Sequence, residues 1–231
     1  MNNLDYNIIG SSSKGNCLIF NKYMAIDMGV SYKQIKQHLK DLKVVLLTHI
    51  HSDHFCKSTI KKIAFERPTV KFVCGEWLVA DLVKLGVLKK NIFIVRHNKA
   101  YNFGKFILIP LETYHDVRNM SYRVDFLPTT IYYATDTSKL DYYNCLKNLD
   151  YYFVEKNYDE EEINRRIEEK TLNGEFVYET RVKNSHLSNE ETNKFLEEMM
   201  GDNSKFIYCH QHIEEEKDDW WGRFLFNRFK K

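Results

Sequence analysis

The segment that most restricts the fold of this 231-residue chain is Val44-Val45-Leu46-Leu47, followed at once by Thr48-His49-Ile50-His51-Ser52-Asp53-His54. Four apolar residues without polar alternation read as a strand buried on both faces, the kind found in sheets covered by helices. The turn after it carries four metal-ligand side chains, His49, His51, Asp53 and His54. Alternation lets His49 and His51 point the same way, and the turn brings Asp53 and His54 round from the other side. Imidazole and carboxylate donors suit a borderline divalent cation, zinc above all, with manganese or iron as alternatives. Four ligands at this spacing can begin two adjacent metal sites. A histidine-rich surface loop is the plain alternative, but such a loop has no reason to follow directly on an apolar strand.

The remaining pattern predicts strands and helices in two successive sets. Short strands are expected over Tyr6–Ile9, Cys17–Phe20 and Tyr23–Asp27, with a turn over residues 10–16, and then over Lys43–Leu47. Helices are expected over Tyr32–Leu39, Ser58–Phe65 and Glu76–Leu85, the last ending at Gly86. The middle predicts strands over Thr69–Cys74, Asn91–Val95, Lys105–Leu111, Ser121–Phe126, Thr130–Ala134 and Asp150–Glu155. Asp159–Lys170 reads as a charged helix that packs only at Ile163 and Ile167, and Ser188-Asn189-Glu190-Glu191 as a capping box opening a helix to Met200. Lys205–Cys209 reads as a final buried strand. The order implies a single α/β domain over residues 1–231, with mixed sheets inside and helices outside.

Three further ligand types stand just past apolar strands: His115 after Leu108-Ile109-Pro110-Leu111, Asp136 after Ile131-Tyr132-Tyr133-Ala134, and His210 after Phe206-Ile207-Tyr208-Cys209. Singly, an Asp there is more often a turn residue and a His a hydrogen-bonded surface group. Jointly, they lie where α/β proteins place their sites.

Charge bears on the partner. Lys and Arg number 34 against 32 Asp and Glu, a formal net charge of +2. Binding to long nucleic acid draws on a clustered basic field, so that partner is disfavoured. No apolar run approaches the roughly 20 residues of a membrane span. The first residues lack a basic region followed by an apolar stretch, and Cys17, Cys56, Cys74, Cys145 and Cys209 form no CxxC pair. A cytoplasmic protein with reduced thiols and no membrane partner is the expectation.

Taken together these motifs resemble a metallo-β-lactamase-fold hydrolase with an αββα sandwich. The resemblance runs through Gly10-Ser11-Ser12 with Gly15-Asn16, the His49–His54 motif, His115-Asp116-Val117 with Tyr122-Arg123, Tyr133-Ala134-Thr135-Asp136-Thr137, Val154-Glu155, His186-Leu187-Ser188 and the late His210. The Ala-Thr-Asp-Thr and His-Leu-Ser stretches resemble the phosphodiesterase branch, near ribonuclease Z and YycJ-like proteins. Phage-encoded anti-Pycsar proteins, which cleave cyclic CMP and cyclic UMP, are similar in length and motif order. This resemblance implies that His49, His51 and His115 hold one metal, that Asp53, His54 and His210 hold a second, and that Asp136 bridges them. Two divalent ions about 3.5–4 Å apart lower the pKa of a shared water and stabilise the entering and leaving oxygens. An Asp bridge, where antibiotic-hydrolysing relatives use Cys, points away from a lactamase.

The catalytic residues implied are His186 and Asp53, the latter also a ligand. His186 can protonate a departing sugar oxygen near neutral pH, or it can merely orient a ligand. Asp116 and Glu155 are candidates to orient ligand imidazoles. Relatives tend to show His-Leu-Ser after the last strand, whereas this chain has His210-Gln211-His212, so His212 competes with His210 for that ligand position.

Three functions compete. A phosphodiesterase for 3′,5′-cyclic nucleotides such as cyclic CMP and UMP, with cyclic AMP and GMP in reach, would counteract Pycsar-type antiviral signalling, in the host cytoplasm for a phage-encoded protein. A YycJ-like or ribonuclease Z-like nuclease needs a basic track, for which Lys33, Lys36, Lys40, Lys43, Arg165, Arg166 and Arg181 are candidates, though surface lysines are usually only solvated. A non-enzymatic nucleotide-sequestering or protein-interaction module is disfavoured by the full ligand set. Trp220-Trp221, in a charged tail, fits either a homodimer contact or a terminal anchor. The resemblance favours the homodimer.

Overall fold

The computed structural model describes residues 3–211. His212 and the Trp220-Trp221 pair lie outside the described residues. The chain begins with β1 (Tyr6–Ser12), β2 (Gly15–Phe20) and β3 (Met24–Ile26), then runs through α1 (Tyr32–Ile35), β4 (Val44–Leu46), α2 (Lys57–Glu66), β5 (Lys71–Cys74), α3 (Val79–Lys84) and β6 (Ile92–Ile94). These six strands pair in chain order as one sheet. β1, β2 and β3 are antiparallel, and β3 to β6 are parallel.

A second sheet follows the same plan. It contains β7 (Tyr101–Asn102), β8 (Ile107–Glu112), β9 (Met120–Phe126), β10 (Thr129–Ala134), β11 (Tyr151–Glu155) and β12 (Lys205–Cys209), again neighbours in chain order. β7 to β10 are antiparallel, and β10, β11 and β12 are parallel. The crossover from β11 to β12 carries α4 (Glu160–Leu172), α5 (Glu179–Ser185) and α6 (Asn189–Met199).

Alternation sorts the strand residues into layers. Leu18, Phe20, Met24, Ile26 and Leu46 of the first sheet meet Tyr122, Val124, Ile131, Tyr133 and Phe153 of the second in one apolar core. Ile19, Ala25, Val45 and Leu47 face the other way, onto Ile35, Ile60, Ile63 and Leu82 of α1 to α3. Tyr132, Ala134, Tyr152 and Val154 do the same against Phe195, Leu196 and Met199 of α6. Burial on both faces is why these strands lack polar alternation. The expected αββα sandwich is therefore the observed one.

Four elements differ from the sequence reading. The helix expected over Tyr32–Leu39 is α1 followed by a 3₁₀ turn, Lys36–His38. The helix expected over Glu76–Leu85 is a single 3₁₀ turn, Glu76–Leu78, leading into α3. The short β7 and α5 carry no periodic signal. All five cysteines are free. Among the described residues no helix is long and apolar enough to cross a membrane.

Candidate metal centre

The candidate ligands gather along one edge of the sandwich, past the carboxyl ends of strands. His49 comes three residues after β4, His115 three after β8, Asp136 two after β10 and His210 directly after β12. Asp27 follows β3 directly, and Glu155 is the last residue of β11. The backbone turns sharply here. Asp27, Asp136 and His210 have φ of 59°, 55° and 48°, the left-handed region that Asp and His enter more readily than most residues.

One rule orders the imidazoles: one ring nitrogen faces a protein oxygen and the other faces the cluster. His115 Nδ1 donates to the Ser185 carbonyl at 2.9 Å, and His54 Nδ1 to Asp27 Oδ2 at 2.6 Å. His210 Nδ1 donates to Glu155 Oε1 at 3.1 Å. The Thr48 hydroxyl donates to Asp27 Oδ1 at 2.9 Å and accepts from His49 Nδ1 at 2.9 Å. His51 Nε2 faces Asp116 Oδ1 at 3.3 Å. Carbonyl and carboxylate oxygens only accept, so the nitrogen facing each carries the proton and the other keeps its lone pair.

Those lone pairs converge. His51 Nδ1 and His115 Nε2 stand 3.1 Å apart, and the buried His49 Nε2 has no hydrogen-bond partner among the described residues. His54 Nε2 lies 2.8 Å from Asp136 Oδ2 and 3.5 Å from Asp53 Oδ2. His210 Nε2 lies 3.3 Å from Asp53 Oδ2 and 3.6 Å from Asp136 Oδ1. Acceptor set against acceptor is unfavourable unless a proton or a metal cation stands between them. Ligands about 2.1 Å from a tetrahedral cation lie about 3.4 Å from one another, close to most of these separations. The residues present therefore fit a divalent metal.

Two groups result: His49, His51 and His115, and Asp53, His54, Asp136 and His210. Asp136 faces both, with Oδ1 3.9 Å from His115 Nε2 as well as near His210. Asp136, Glu155, His186 and His210 form a third cluster. There Glu155 Oε1 already bonds His186 Nδ1 at 2.5 Å and His210 Nδ1 at 3.1 Å, so it orients rings.

The electrostatics match this layout. Burial pushes the Asp136 and Asp53 carboxyls up, but the surrounding imidazoles outweigh it. Asp136 is held well below the carboxylate range and Asp53 below its ordinary value. Burial lowers His49 and His115, helped by neighbouring imidazoles, and both lie below the ordinary histidine value. For His54 and His210 burial is overcome by carboxylates, Asp136 foremost. His54 stands well above the ordinary value and His210 rises to about 10.

The structure brings together the candidate ligands, the candidate orienting carboxylates and His186: His49, His51, Asp53, His54, His115, Asp116, Asp136, Glu155, His186 and His210. His210 stands with Asp53, His54 and Asp136, its ring 5.7 Å from that of His54. The sequence reading missed Asp27, which holds His54 and, through Thr48, His49. The available signal was the one used for Asp136, a carboxylate just past an apolar strand.

A family model described as beta-lactamase superfamily domain matches residues 27–211. No curated protein sequence gave a match. The fold is similar to that of the metallo-beta-lactamase fold protein YhfI from Bacillus subtilis, with TM-score 0.69, 17% identity, and coverage of 90% of this chain and 86% of that one. Human tRNase Z, short form, gives TM-score 0.65 at 11% identity over 89% of this chain and 92% of that one. A diphosphatase of the PhnP family gives 0.60 at 15% identity over 89% and 85%. With that match spanning both ligand groups, the chain belongs to the beta-lactamase superfamily, in its metallo-β-lactamase-fold form.

Proposed function

We propose that the chain is a metal-dependent phosphodiesterase that opens 3′,5′-cyclic nucleotides. The observation behind this reading is the Glu155–His186 pair beside Asp136. Glu155 is buried and its Oε1 accepts a hydrogen bond from His186 Nδ1 at 2.5 Å. Burial lowers the His186 pKa, but Glu155 outweighs it and holds the ring above the ordinary histidine value. His186 thus holds its proton more firmly than an ordinary histidine, and its Nε2 makes no hydrogen bond among the described residues. Its ring stacks on His210 at 5.2 Å and 8°, and Nδ1 lies 3.7 Å from Asp136 Oδ1.

Hydrolysis of a phosphodiester needs an attacking water and an acid for the departing alkoxide. His49, His51, His115, Asp53, His54, Asp136 and His210 would hold divalent cations, which would supply Lewis acidity at the phosphoryl oxygens and lower the pKa of the attacking water. Asp53 is ionised and lies at the open side of the cluster, its side chain 20% exposed, where it can take the proton that water gives up. As the new P–O bond forms, the P–O3′ bond breaks and His186 delivers its proton to the 3′ oxygen. A cyclic nucleotide and water become a nucleoside monophosphate. Two proteins that share the fold are named as a tRNase and a diphosphatase, which supports phosphate chemistry.

A small substrate is favoured over nucleic acid because the cations of α4 and α5 other than Arg181 are held by side chains of those two helices. Arg165 binds Glu169, Arg166 binds Glu162, Lys170 binds Glu179 and Lys183 binds Asn164. In a cell that signals infection with cyclic pyrimidine nucleotides, the activity would erase the signal. Zinc suits the donor set best, with manganese or iron as alternatives.

The test is a panel of cyclic CMP, UMP, AMP and GMP, with single-stranded DNA and a precursor tRNA, for wild type and Asp136→Ala. Metal-dependent turnover of a cyclic nucleotide by wild type alone is expected. Turnover of nucleic acid only would replace the substrate class, and turnover of nothing would remove the reading.

A further inference from the structure

α5 is fixed to the metal centre at two points: the Ser185 carbonyl accepts from His115 Nδ1 at 2.9 Å, and His186, which caps the helix, bonds Glu155. Arg181 lies one turn back on the same helix, its carbonyl accepting from the Ser185 hydroxyl at 2.7 Å. Its guanidinium reaches the centre. Nη2 donates to Asp116 Oδ2 at 2.5 Å, and Asp116 Oδ1 lies 3.2 Å from His115 Nε2 and 3.3 Å from His51 Nε2. A single carboxylate thus separates the guanidinium from the His49–His51–His115 group, while the Arg181 side chain stays 73% exposed.

A pair this exposed contributes little to stability, so stability does not account for a positive charge anchored here. A guanidinium carries five donors in a planar fork that matches a phosphate oxygen pair. Among the described residues Asp116 is the one acceptor that Arg181's guanidinium meets. The contrast with Arg165 and Arg166 is direct, since both are engaged with glutamates of α4 itself.

We propose that Arg181 binds the non-bridging phosphate oxygens of the substrate, keeping its helix position and giving up part of its contact with Asp116. The proposal rests on the phosphodiester reading and extends it, making Arg181 a binding residue that selects anionic substrates. Asp116 stays against His51 and keeps that ring oriented.

The test uses metal-loaded wild type, Arg181→Gln, Arg181→Lys and Asp116→Asn. Titration calorimetry with inorganic phosphate as the probe is set beside metal content and steady-state kinetics on the panel. Arg181→Gln should weaken phosphate binding roughly tenfold to a hundredfold with metal content unchanged, and raise KM more than it lowers kcat. Arg181→Lys should restore part of the affinity. Asp116→Asn removes the competing carboxylate, so phosphate affinity should hold or rise. Phosphate binding by Arg181→Gln within about twofold of wild type overturns the proposal whatever the kinetics show. Equal loss of metal in Arg181→Gln and Asp116→Asn also overturns it, since Arg181 would then act only through Asp116. Arg181-dependent phosphate binding in a protein that cleaves no phosphodiester would keep the anion site and remove the phosphodiester reading.

Discussion

Asp27 receives four hydrogen bonds while fully buried: from the Thr48 amide and hydroxyl, each at 2.9 Å, from His54 Nδ1 at 2.6 Å and from the Tyr133 hydroxyl at 3.2 Å. An amide at this position would turn an NH₂ towards donors. Asp27→Asn should lower metal affinity roughly 10- to 100-fold, read by competition with a chromophoric chelator. Unchanged affinity would show that Asp27 does not set the His54 tautomer. His186→Ala should instead leave metal content alone and lower kcat about 10²- to 10⁴-fold. A variant as active as wild type would dismiss His186 as the acid. The ligands on the His49–His54 turn were legible because four donor side chains fall within six residues. Asp27 carried the same strand-end signal as Asp136, but its role depends on Thr48, His54 and Tyr133, which only the fold brings near.

Among the elements, the turn from His51 to Cys56 owes its position to the stretch after β3. Met28 N donates to the His54 carbonyl at 2.9 Å and Cys56 N to the Met28 carbonyl at 2.8 Å. Between them Gly29 passes so close that a Cβ would lie 1.6 Å from the Asp53 carbonyl oxygen. Gly29→Ala must displace Asp53 and His54, and should cost about 3 kcal/mol as well as weaken metal binding. Urea unfolding and metal analysis would show it, and a stable variant with full metal content would contradict the packing argument. At the far end of the crossover, Ser188 Oγ accepts from Glu191 N at 3.1 Å, the cap expected from the sequence. Ser188→Ala should cost about 1 kcal/mol. That helix was readable because its cap and its buried Phe195, Leu196 and Met199 both follow helical rules. α5 was not, because Glu-Thr-Arg-Val-Lys-Asn-Ser offers Val182 as its one apolar side chain. A helix this short does not persist on its own propensity. It is held by Ser185 against His115 and by Lys170 against Glu179.

Across the whole molecule the centre joins the two sheets. His49, His51, Asp53 and His54 follow the first sheet's β4, whereas His115, Asp136 and His210 follow strands of the second. A cation bound there ties both halves of the sandwich together and stabilises the fold by linkage. Protons compete for the same nitrogens. In the metal-free protein His210 titrates near 10 and His54 well above the ordinary value, against an unfolded histidine value of about 6.5. Groups raised on folding contribute stability fully below the unfolded pKa and lose it as pH climbs through the folded one. The metal-free protein should therefore lose stability as pH rises from about 6.5 towards 10. Asp53 and Asp136, depressed on folding, are ionised throughout that window, and His49 and His115, lowered on folding, are neutral there, so none of the four offsets the loss. Metal binding must expel the His54 and His210 protons, so the cation gains affinity over the same range. The gap in Tm between zinc-loaded and EDTA-treated protein should widen from pH 6 to pH 9, followed by differential scanning fluorimetry. Calorimetry in buffers of different ionisation enthalpy should register proton release on zinc binding. A gap that stays constant or narrows, with no protons released, would mean that His54 and His210 do not hold the cation.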